Sequence, residues 1–336
     1  MPNLDLLRSI AVLFVIGSHA MIAMGCESLS PFGWSLDLGY VGTLGVVIFF
    51  VHTCLVLMWS LERNADPMGF YVRRIFRIYP LSIFVVLIIV GFHIPVSISG
   101  NAVRFTHLVS KWQLPANLLL VQNIVRVPNV MGPLWTLPLE VQMYLLLPFL
   151  FYFVRQNRVL WPLMTLWLAV VALNHYQDYG VNYLVTVVPF FLPGVMAYVG
   201  FGRIRPRIPG WVLPIVLAAI VFLSVHRPTV HAMYFYALAL GLLLPFFKQI
   251  QSRWLKRASL TIAKYSYGAY LSHPFAILIG MTILAAHSHL TQMAVTIVFI
   301  VVTVVPAYHF IEEPMIRAGS RLAKRIARKH HVPVAA

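Results

Sequence analysis

The sequence predicts an all-α polytopic membrane protein with about ten transmembrane helices and with both termini in the cytoplasm. Hydrophobic residues make up 60% of its 336 positions and charged residues only 10%, whereas a soluble domain typically has about 25% charged residues. A compact soluble protein cannot bury so large an apolar fraction. A membrane protein can, because each helical crossing uses about 20 apolar residues. This composition excludes disordered, collagen-like, disulfide-stabilised and ordinary cytosolic proteins.

Ten apolar runs separated by polar breaks are candidate transmembrane helices. The one long connection between them, from Pro95 to Gly132, contains an apolar piece, Leu114–Val125, that is too short to cross a bilayer. We expect an interfacial or re-entrant segment there. The ten runs cover residues 4–24, 39–61, 78–94, 134–154, 159–174, 183–201, 210–226, 229–247, 264–285 and 291–311.

The distribution of lysine and arginine predicts the orientation of these runs. With the N-terminus inside, four of the 25 cationic residues lie on the outer side, namely Arg104, Lys111, Arg126 and Arg227, and the other 21 lie on the inner side. This is a strong positive-inside signal, and it favours an even number of crossings. We therefore expect a multi-pass protein of the cell (inner or plasma) membrane, in contact with membrane lipids. Because no soluble domain presents the basic residues, we expect no nucleic-acid partner.

Ionisable residues inside the runs are candidate functional residues, because a charge within a bilayer is costly. Arg8 and His19 lie eleven residues apart, which is about 1100° of helix, so both face the same direction. Taken alone, they also fit a snorkelling arginine at a helix end and a hydrogen-bonded core histidine. The other such residues are His273 in the ninth run and the pair Glu312–Glu313 at the end of the tenth.

Glu140, in the fourth run, is predicted to lie at the depth of His19. It follows the start of its run by six residues, about 9 Å below the outer edge, and His19 lies about 7–8 Å below that edge. Because a buried carboxylate needs a partner, we expect a Glu140–His19 pair. In such a pair the imidazole acts as general base for a hydroxyl, and the carboxylate holds its tautomer and charge. A pair that only fixes helix packing is the alternative.

Arg74 and Arg77 are predicted to form a phosphate site on the cytoplasmic side. They lie three residues apart and therefore project from one helix face, and guanidinium groups bind phosphate through paired donors. Arg8 would join them. Positive-inside anchoring explains these charges equally well.

Five segments resemble, in the right order, the motifs of the acyltransferase family 3 membrane proteins. Each alone is weak, but together they span nearly the whole chain and are specific. The segments are Arg8 with His19 after ten intervening residues, Arg74-Ile-Phe-Arg77, Trp135-Thr-Leu-Pro-Leu-Glu140-Val-Gln-Met-Tyr144, Ser266-Tyr-Gly-Ala-Tyr270-Leu-Ser-His273, and Glu312-Glu-Pro followed by Arg317.

The second run departs from the family pattern. The usual aspartate is replaced by Val47 and the usual Ser-Gly by Thr53-Cys54, so we expect different contacts around the reacting centre. His52 is an added polar residue, which we interpret as structural. We also expect the chain to lack the extracytoplasmic esterase-like domain that some members carry.

The resemblance implies an acyltransferase-3-like transmembrane domain over residues 1–316 and a basic cytoplasmic tail over residues 317–336. Such a domain moves an acyl group, commonly acetyl, from a cytoplasmic donor such as acetyl-CoA or another acyl-CoA. The acceptor would be a hydroxyl of a sugar, glycan or lipid-linked saccharide. No metal is expected.

The resemblance also implies roles for particular residues. Cationic groups at Arg8, Arg74 and Arg77 would hold the coenzyme A phosphates. His19 would be the general base or would carry the acyl group transiently, and Glu140 would orient it. Four further residues would shape the substrate pocket, although hydrogen-bonded packing explains the last two as well: Trp135, Tyr144, Tyr270 and His273.

Two other functional classes use the same buried polar groups. A transporter or flippase would use them as a path for a substrate or for protons, but no internal repeat is visible in the sequence. A membrane sensor or inactive scaffold would retain the fold without the reaction. Transfer of a labelled acyl group by the purified protein distinguishes the enzyme from both.

Overall fold

The computed structural model describes residues 1–29, 36–95, 97–99, 102–104, 108, 110–157, 159–177, 180, 183–226 and 229–330. Over these residues the chain is helical, apart from two short antiparallel strand pairs. Strand β1 (Ser28–Leu29) pairs with β2 (Leu36–Asp37), and β3 (Ser97–Ser99) pairs with β4 (Ala102–Arg104). Arg227 and the end of the predicted tail, residues 331–336, lie outside the described residues.

The described helices follow one another along the chain, and the longest stretch between two of them runs from Gly91 to Gln113. Two 3-10 turns, Gly132–Trp135 and Leu244–Phe246, and two π-helical turns, Leu278–Ile283 and Tyr308–Glu312, adjoin α-helices. The α-helices are α1 (Pro2–Ala23), α2 (Leu38–Arg63), α3 (Pro67–Gly91), α4 (Gln113–Leu118), α5 (Gln122–Val125), α6 (Thr136–Asn157), α7 (Trp161–Tyr176), α8 (Leu184–Phe201), α9 (Val212–His226), α10 (Val230–Leu243), α11 (Arg253–Ile277), α12 (His289–Ala307) and α13 (Glu313–His330).

Six helical stretches in the described part of the chain are long and apolar enough to cross a membrane. Two shorter apolar helices, Val212–Ser224 and Val230–Phe246, accompany them. These features fit a multi-pass membrane protein, while the count of ten crossings and the orientation of the termini stay predictions. The six stretches are Pro2–Ala23, Leu38–Arg63, Pro67–Gly91, Gly132–Gln156, Leu184–Phe201 and His289–Ala327.

Helices α3 and α11 begin well before the apolar runs that predicted them, at Pro67 and Arg253 rather than at residues 78 and 264. Both starts are capped by a side chain. Gly69 N donates to Asp66 Oδ2 at 3.0 Å, and Leu255 N donates to Ser252 Oγ at 3.4 Å. Because hydropathy detects only the apolar part of a helix, it missed these polar first turns. Arg74 and Arg77 therefore lie within one continuous helix.

Helix α2 is the centre of the bundle and packs closely against α1 and α8. A Cβ on Gly45 would lie 2.6 Å from the carbonyl oxygen of Ala11, and a Cβ on Gly194 would meet the carbonyl oxygen of Val51. Glycine at these two positions lets the backbones touch, as small residues do at helix contacts in membranes. The contact brings the face of α1 that carries Arg8 against α2.

The segment before α6 is folded into the protein. The apolar piece expected to be interfacial or re-entrant forms α4 and α5. Asn117 Nδ2 donates to the Pro128 carbonyl at 3.0 Å, and Asn117 Oδ1 accepts from Val130 N at 2.9 Å. Val130 and Leu134 are buried. Consequently α6 begins inside the molecule rather than at its surface.

The basic C-terminal segment forms helix α13, which packs along α3. A Cβ on Gly319 would lie 2.5 Å from Phe76 Cβ. The helix runs without a break across the predicted domain boundary between residues 316 and 317. The division into a membrane domain and a tail stays a prediction.

Candidate active site

All three arginines selected from the sequence reach one small pocket, which also contains Glu140. The pocket has a volume of about 60 Å³, and we call it the glutamate pocket. The Tyr144 hydroxyl, one turn further along α6, donates a hydrogen bond to Glu140 Oε1. Nε of Arg74 is buried and has no hydrogen-bond partner among the described residues. The predicted residues that line the pocket are Arg8, Arg74, Arg77, Glu140 and Tyr144.

Partners from distant parts of the chain hold two of these arginines in place. Arg8 Nε on α1 donates to Ser266 Oγ on α11 at 2.6 Å. Nη1 of Arg77 lies 3.1 Å from Oε2 of Glu312, whose side chain is fully buried. The Arg77 guanidinium also lies over the Tyr267 ring, 5.7 Å from its centre. Ser266, Tyr267 and Glu312 belong to the motifs quoted above, but spacing alone did not reveal which arginine each one holds.

The glutamate pocket adjoins a larger cavity of about 620 Å³, which we call the arginine cavity. Arg8, His52 and Arg77 line both. Arg63 and Lys264 add two cations to the wall of the arginine cavity, and sequence reasoning selected neither. These four cations outnumber the two carboxylates, Asp5 and Glu62, that also line the cavity. Such a wall suits a ligand that carries several negative charges.

His52 lies on α2 at the border between the arginine cavity and the glutamate pocket. The residue is 5% exposed, and its Nδ1 atom has no hydrogen-bond partner in the described part of the chain. Buried polar atoms are normally paired. The structural role inferred from the sequence stays a prediction, because the described residues leave one ring nitrogen of His52 without a partner.

A second cavity, of about 390 Å³, contains the predicted histidines, and we call it the imidazole cavity. His19, Trp135, Tyr270 and His273 all line it. Tyr270 is anchored there, because its hydroxyl donates to the Pro133 carbonyl at 2.6 Å. This bond ties α11 to the 3-10 turn that carries Trp135.

A hydrogen-bond chain assigns the tautomer of His19. Nδ1 of His273 lies 2.6 Å from the carbonyl oxygen of Tyr270, and Nε2 of His273 lies 2.9 Å from Nδ1 of His19. Because a carbonyl oxygen only accepts, His273 donates from Nδ1, and a neutral His273 then accepts at Nε2. His19 must then donate from Nδ1, which leaves its Nε2 with a free lone pair. No described residue bonds to that nitrogen, and His19 is exposed to the cavity.

A narrow apolar passage of about 30 Å³ lies between the two sites. Val15, Val46 and Tyr270 line both the passage and the imidazole cavity. Phe49 and Tyr267 line both the passage and the glutamate pocket. The passage therefore lies between the arginines and the imidazoles in the interior of the bundle.

The predicted pair between His19 and Glu140 is not formed, and this prediction is corrected. His19 bonds to His273, whereas Glu140 accepts from Tyr144 among the arginines. The estimate of depth failed because it placed the membrane edge at Leu134, which is itself buried under α4 and α5. Tyr144, predicted with the substrate pocket, likewise lies in the glutamate pocket. The catalytic roles of His19 and Glu140 stay predictions.

The arrangement separates two kinds of chemistry. The arginine cavity and the glutamate pocket offer cationic donors to an anionic ligand, and the imidazole cavity offers a base with a fixed tautomer. Among the residues that the structure describes, no cluster of three or more His, Cys, Asp or Glu side chains is placed to hold a metal ion.

Comparison with curated proteins finds relatives that act in acyl transfer according to their names. The chain is 28% identical over 167 residues to the peptidoglycan O-acetyltransferase OatA of Listeria monocytogenes, covering 46% of this chain and 25% of that protein. It is 30% identical over 172 residues to the acyltransferase MdmB of Streptomyces mycarofaciens, covering 50% and 42%. It is 27% identical over 159 residues to the putative peptidoglycan O-acetyltransferase YrhL of Bacillus subtilis, covering 44% and 23%.

These matches cover less than half of each relative's length. No solved structure matches the chain. The family model described as an acyltransferase domain matches residues 1–310, nearly the whole chain. This match includes four of the five motif segments in full, and the fifth begins two residues beyond it. The chain belongs to acyltransferase family 3.

Proposed function

We propose that this protein is a membrane O-acyltransferase that moves an acyl group from a cytoplasmic acyl-CoA to a hydroxyl of a glycan, a sugar or a lipid-linked saccharide. Family membership supports acyl transfer, and two relatives are named for O-acetylation of peptidoglycan. The observation that carries the proposal is the free Nε2 of His19 in the imidazole cavity. A narrow apolar passage borders that cavity on one side and the pocket of three arginines on the other. The protein would work in the cell membrane.

The donor is assigned to the arginine cavity. An acyl-CoA carries several phosphate charges and a long arm that ends in a thioester, which suits a wide cationic cavity that narrows inward. Arg8, Arg74 and Arg77 would bind phosphate oxygens through charge-assisted hydrogen bonds. The Nε–H group of Arg74, which has no partner among the described residues, fits a ligand that brings acceptor atoms to the pocket. Glu140 would fix the positions of the Tyr144 side chain and of the arginine side chains in the pocket.

The acceptor is assigned to the imidazole cavity. One of its hydroxyls would lie against His19, with Trp135 as a flat apolar wall for a sugar ring. His19 Nε2 takes the hydroxyl proton as the oxygen attacks the thioester carbonyl carbon. The carbon–sulfur bond then breaks, and the imidazolium returns the proton to the departing sulfur. The products are an O-acyl ester and free coenzyme A, so atoms and charge balance.

Acyl transfer by the purified full chain tests this proposal. The protein in detergent or nanodiscs is supplied with acetyl-CoA labelled in the acetyl group and with peptidoglycan fragments or other hydroxylated saccharides. We expect release of free coenzyme A together with a labelled acceptor. His19→Ala should abolish both, whereas Arg74→Ala should mainly raise the KM for the donor.

The control for this experiment is Arg203→Ala, a cation outside both cavities. It should leave the KM for the donor unchanged. Full activity of His19→Ala would show that the proposed base is wrong. Failure of the native protein to release coenzyme A with any acceptor would contradict the acyl-CoA donor.

A further inference from the structure

The passage between the two sites is the narrowest part of the proposed reaction path. It is formed where α1, α2 and α11 meet at the start of α6. Ala11, Val12 and Val15 form one wall, on α1, and Val46 and Phe49 form the facing wall, on α2. The two walls lie close together, because Gly45 has no side chain to separate α2 from the Ala11 carbonyl of α1.

The volume of the passage limits what can enter it. About 30 Å³ is two to three times the ~10–15 Å³ that a single water molecule requires. An acetyl group has three heavy atoms, namely a methyl carbon, a carbonyl carbon and an oxygen. It therefore fills the passage. A longer acyl chain must either displace the surrounding valines and Phe49 or extend into the imidazole cavity, where the acceptor would bind.

We propose that this passage selects a two-carbon acyl group, and that Val46 and Phe49 set the length limit. This inference rests on the proposed function, because it assumes that the thioester enters from the arginine cavity. Val46 borders the imidazole cavity and Phe49 borders the glutamate pocket, so together they line the passage at its two ends. Long acyl chains would be excluded from the passage, although the coenzyme A part of the same donor would still bind in the arginine cavity.

The position of the passage matches the reaction that it would serve. Val15 lies four residues before His19 on α1, about 6 Å along the helix axis. A carbonyl carbon beside Val15 and Tyr270 is therefore within one helical turn of the free imidazole nitrogen. The acceptor oxygen forms its bond to that carbon from the imidazole cavity, while the sulfur leaves toward the arginine cavity with the returned proton.

A series of donors tests the length limit. Acetyl-, propionyl-, butyryl- and hexanoyl-CoA are offered separately to the purified full chain with one saccharide acceptor, and kcat and KM are measured. In the native protein we expect acetyl transfer to exceed butyryl transfer in kcat by about tenfold or more, since a methylene that does not fit changes discrimination by roughly 10–200-fold. The KM for the donor should change little, because the coenzyme A part provides most of the binding.

Val46→Ala widens the passage and has a matched control. We expect the ratio of butyryl to acetyl transfer to rise by about tenfold. Val51→Ala makes the same change five residues further along α2, at a side chain that packs in the hydrophobic core and does not line the passage. Its ratio should equal that of the native protein. Phe49→Leu provides a second widened variant if Val46→Ala does not fold.

The possible outcomes separate this inference from the proposed function. Equal transfer of acetyl and butyryl groups by the native protein would overturn the length limit and leave the acyltransferase intact. If the ratio of butyryl to acetyl transfer is unchanged in both Val46→Ala and Phe49→Leu, these two residues do not set the length limit. Absence of transfer from every thioester would overturn the proposed function and this inference with it.

Inhibition by butyryl-CoA provides an independent measurement. If the passage alone rejects the longer chain, butyryl-CoA should compete with acetyl-CoA in the native protein without being used, at a concentration close to that at which free coenzyme A competes. If butyryl-CoA fails to compete, the discrimination lies in the arginine cavity and the assignment to the passage is wrong.

Discussion

His273 acts on the proposed reaction through His19. It accepts a hydrogen bond from Nδ1 of His19 and is itself fixed by the carbonyl of Tyr270. Replacing it with phenylalanine keeps a flat ring but removes the acceptor, so His19 loses its fixed tautomer. We expect kcat to fall by about 10–100-fold, a part of the ~10²–10⁴-fold that a positioned general base contributes. Steady-state kinetics should show no comparable change in the KM for the donor.

A pair of amide variants separates orientation from packing. The glutamine oxygen in His273→Gln can reach the position of Nε2 and accept the same hydrogen bond, whereas the shorter side chain of His273→Asn cannot. We expect His273→Gln to retain several times the kcat of His273→Asn. In ¹⁵N spectra of histidine-labelled protein, the His19 signal should lose its single-tautomer character only in the asparagine and phenylalanine variants. Equal activity of the two amides would contradict the positioning role.

Two adjacent glutamates should differ sharply in their effect on stability. Glu312 is buried and pairs with Arg77, whereas Glu313 pairs on the surface with Arg317 and His309. Glu312→Ala leaves a largely buried guanidinium unpaired, which costs about 3 kcal/mol. We expect a clearly lower Tm in detergent for Glu312→Ala and almost no change for Glu313→Ala, because exposed ion pairs contribute little. Similar Tm values for both variants would show that the Arg77–Glu312 pair does not stabilise the fold.

Contacts between helices depend on a few positions where backbones touch. Gly194 on α8 meets the Val51 carbonyl of α2, whereas Gly17 on α1 has no atom within 4 Å of the position of a Cβ. Gly194→Ala should therefore lower the free energy of unfolding by about 1–3 kcal/mol through overpacking. Gly17→Ala should raise it by up to about 1 kcal/mol, because alanine favours a helix. Thermal unfolding of the two variants in detergent measures the difference, and a destabilised Gly17→Ala would contradict the open space found there.

Sequence periodicity predicted ten of the described helices, but not where all of them begin. No apolar run predicted α13 or the four short strands. Composition established the membrane class, and each of the ten apolar runs overlaps a helix of the structure. The polar first turns of α3 and α11 carry no hydropathy signal, and their capping residues Asp66 and Ser252 are the features that mark them. The buried start of α6 could not be predicted, because it depends on how α4 and α5 fold back onto other helices.

The sequence selected the residues of the candidate site, but it did not predict which of these residues bond to each other. The motifs selected nine residues, and each of them lines one of two separate cavities. The partner of His19 lies 254 positions away, and helix geometry fixes only directions within one helix. Depth estimates from two helices gave Glu140 as that partner, since they assumed that both helices begin at the same membrane surface.

The direction in which the whole bundle crosses the membrane decides whether the arginine cavity meets a cytoplasmic donor. The positive-inside signal places the turn after α1 on the outer side. Cys26 lies in that turn as a partly exposed free thiol, whereas Cys54 is buried in α2. A membrane-impermeant maleimide should therefore label the native protein in right-side-out vesicles and not in sealed inside-out vesicles, and Cys26→Ser should remove the label. Labelling of Cys26 only in inside-out vesicles would show the opposite orientation of the protein. The arginines would then lie outside, where no acyl-CoA is supplied.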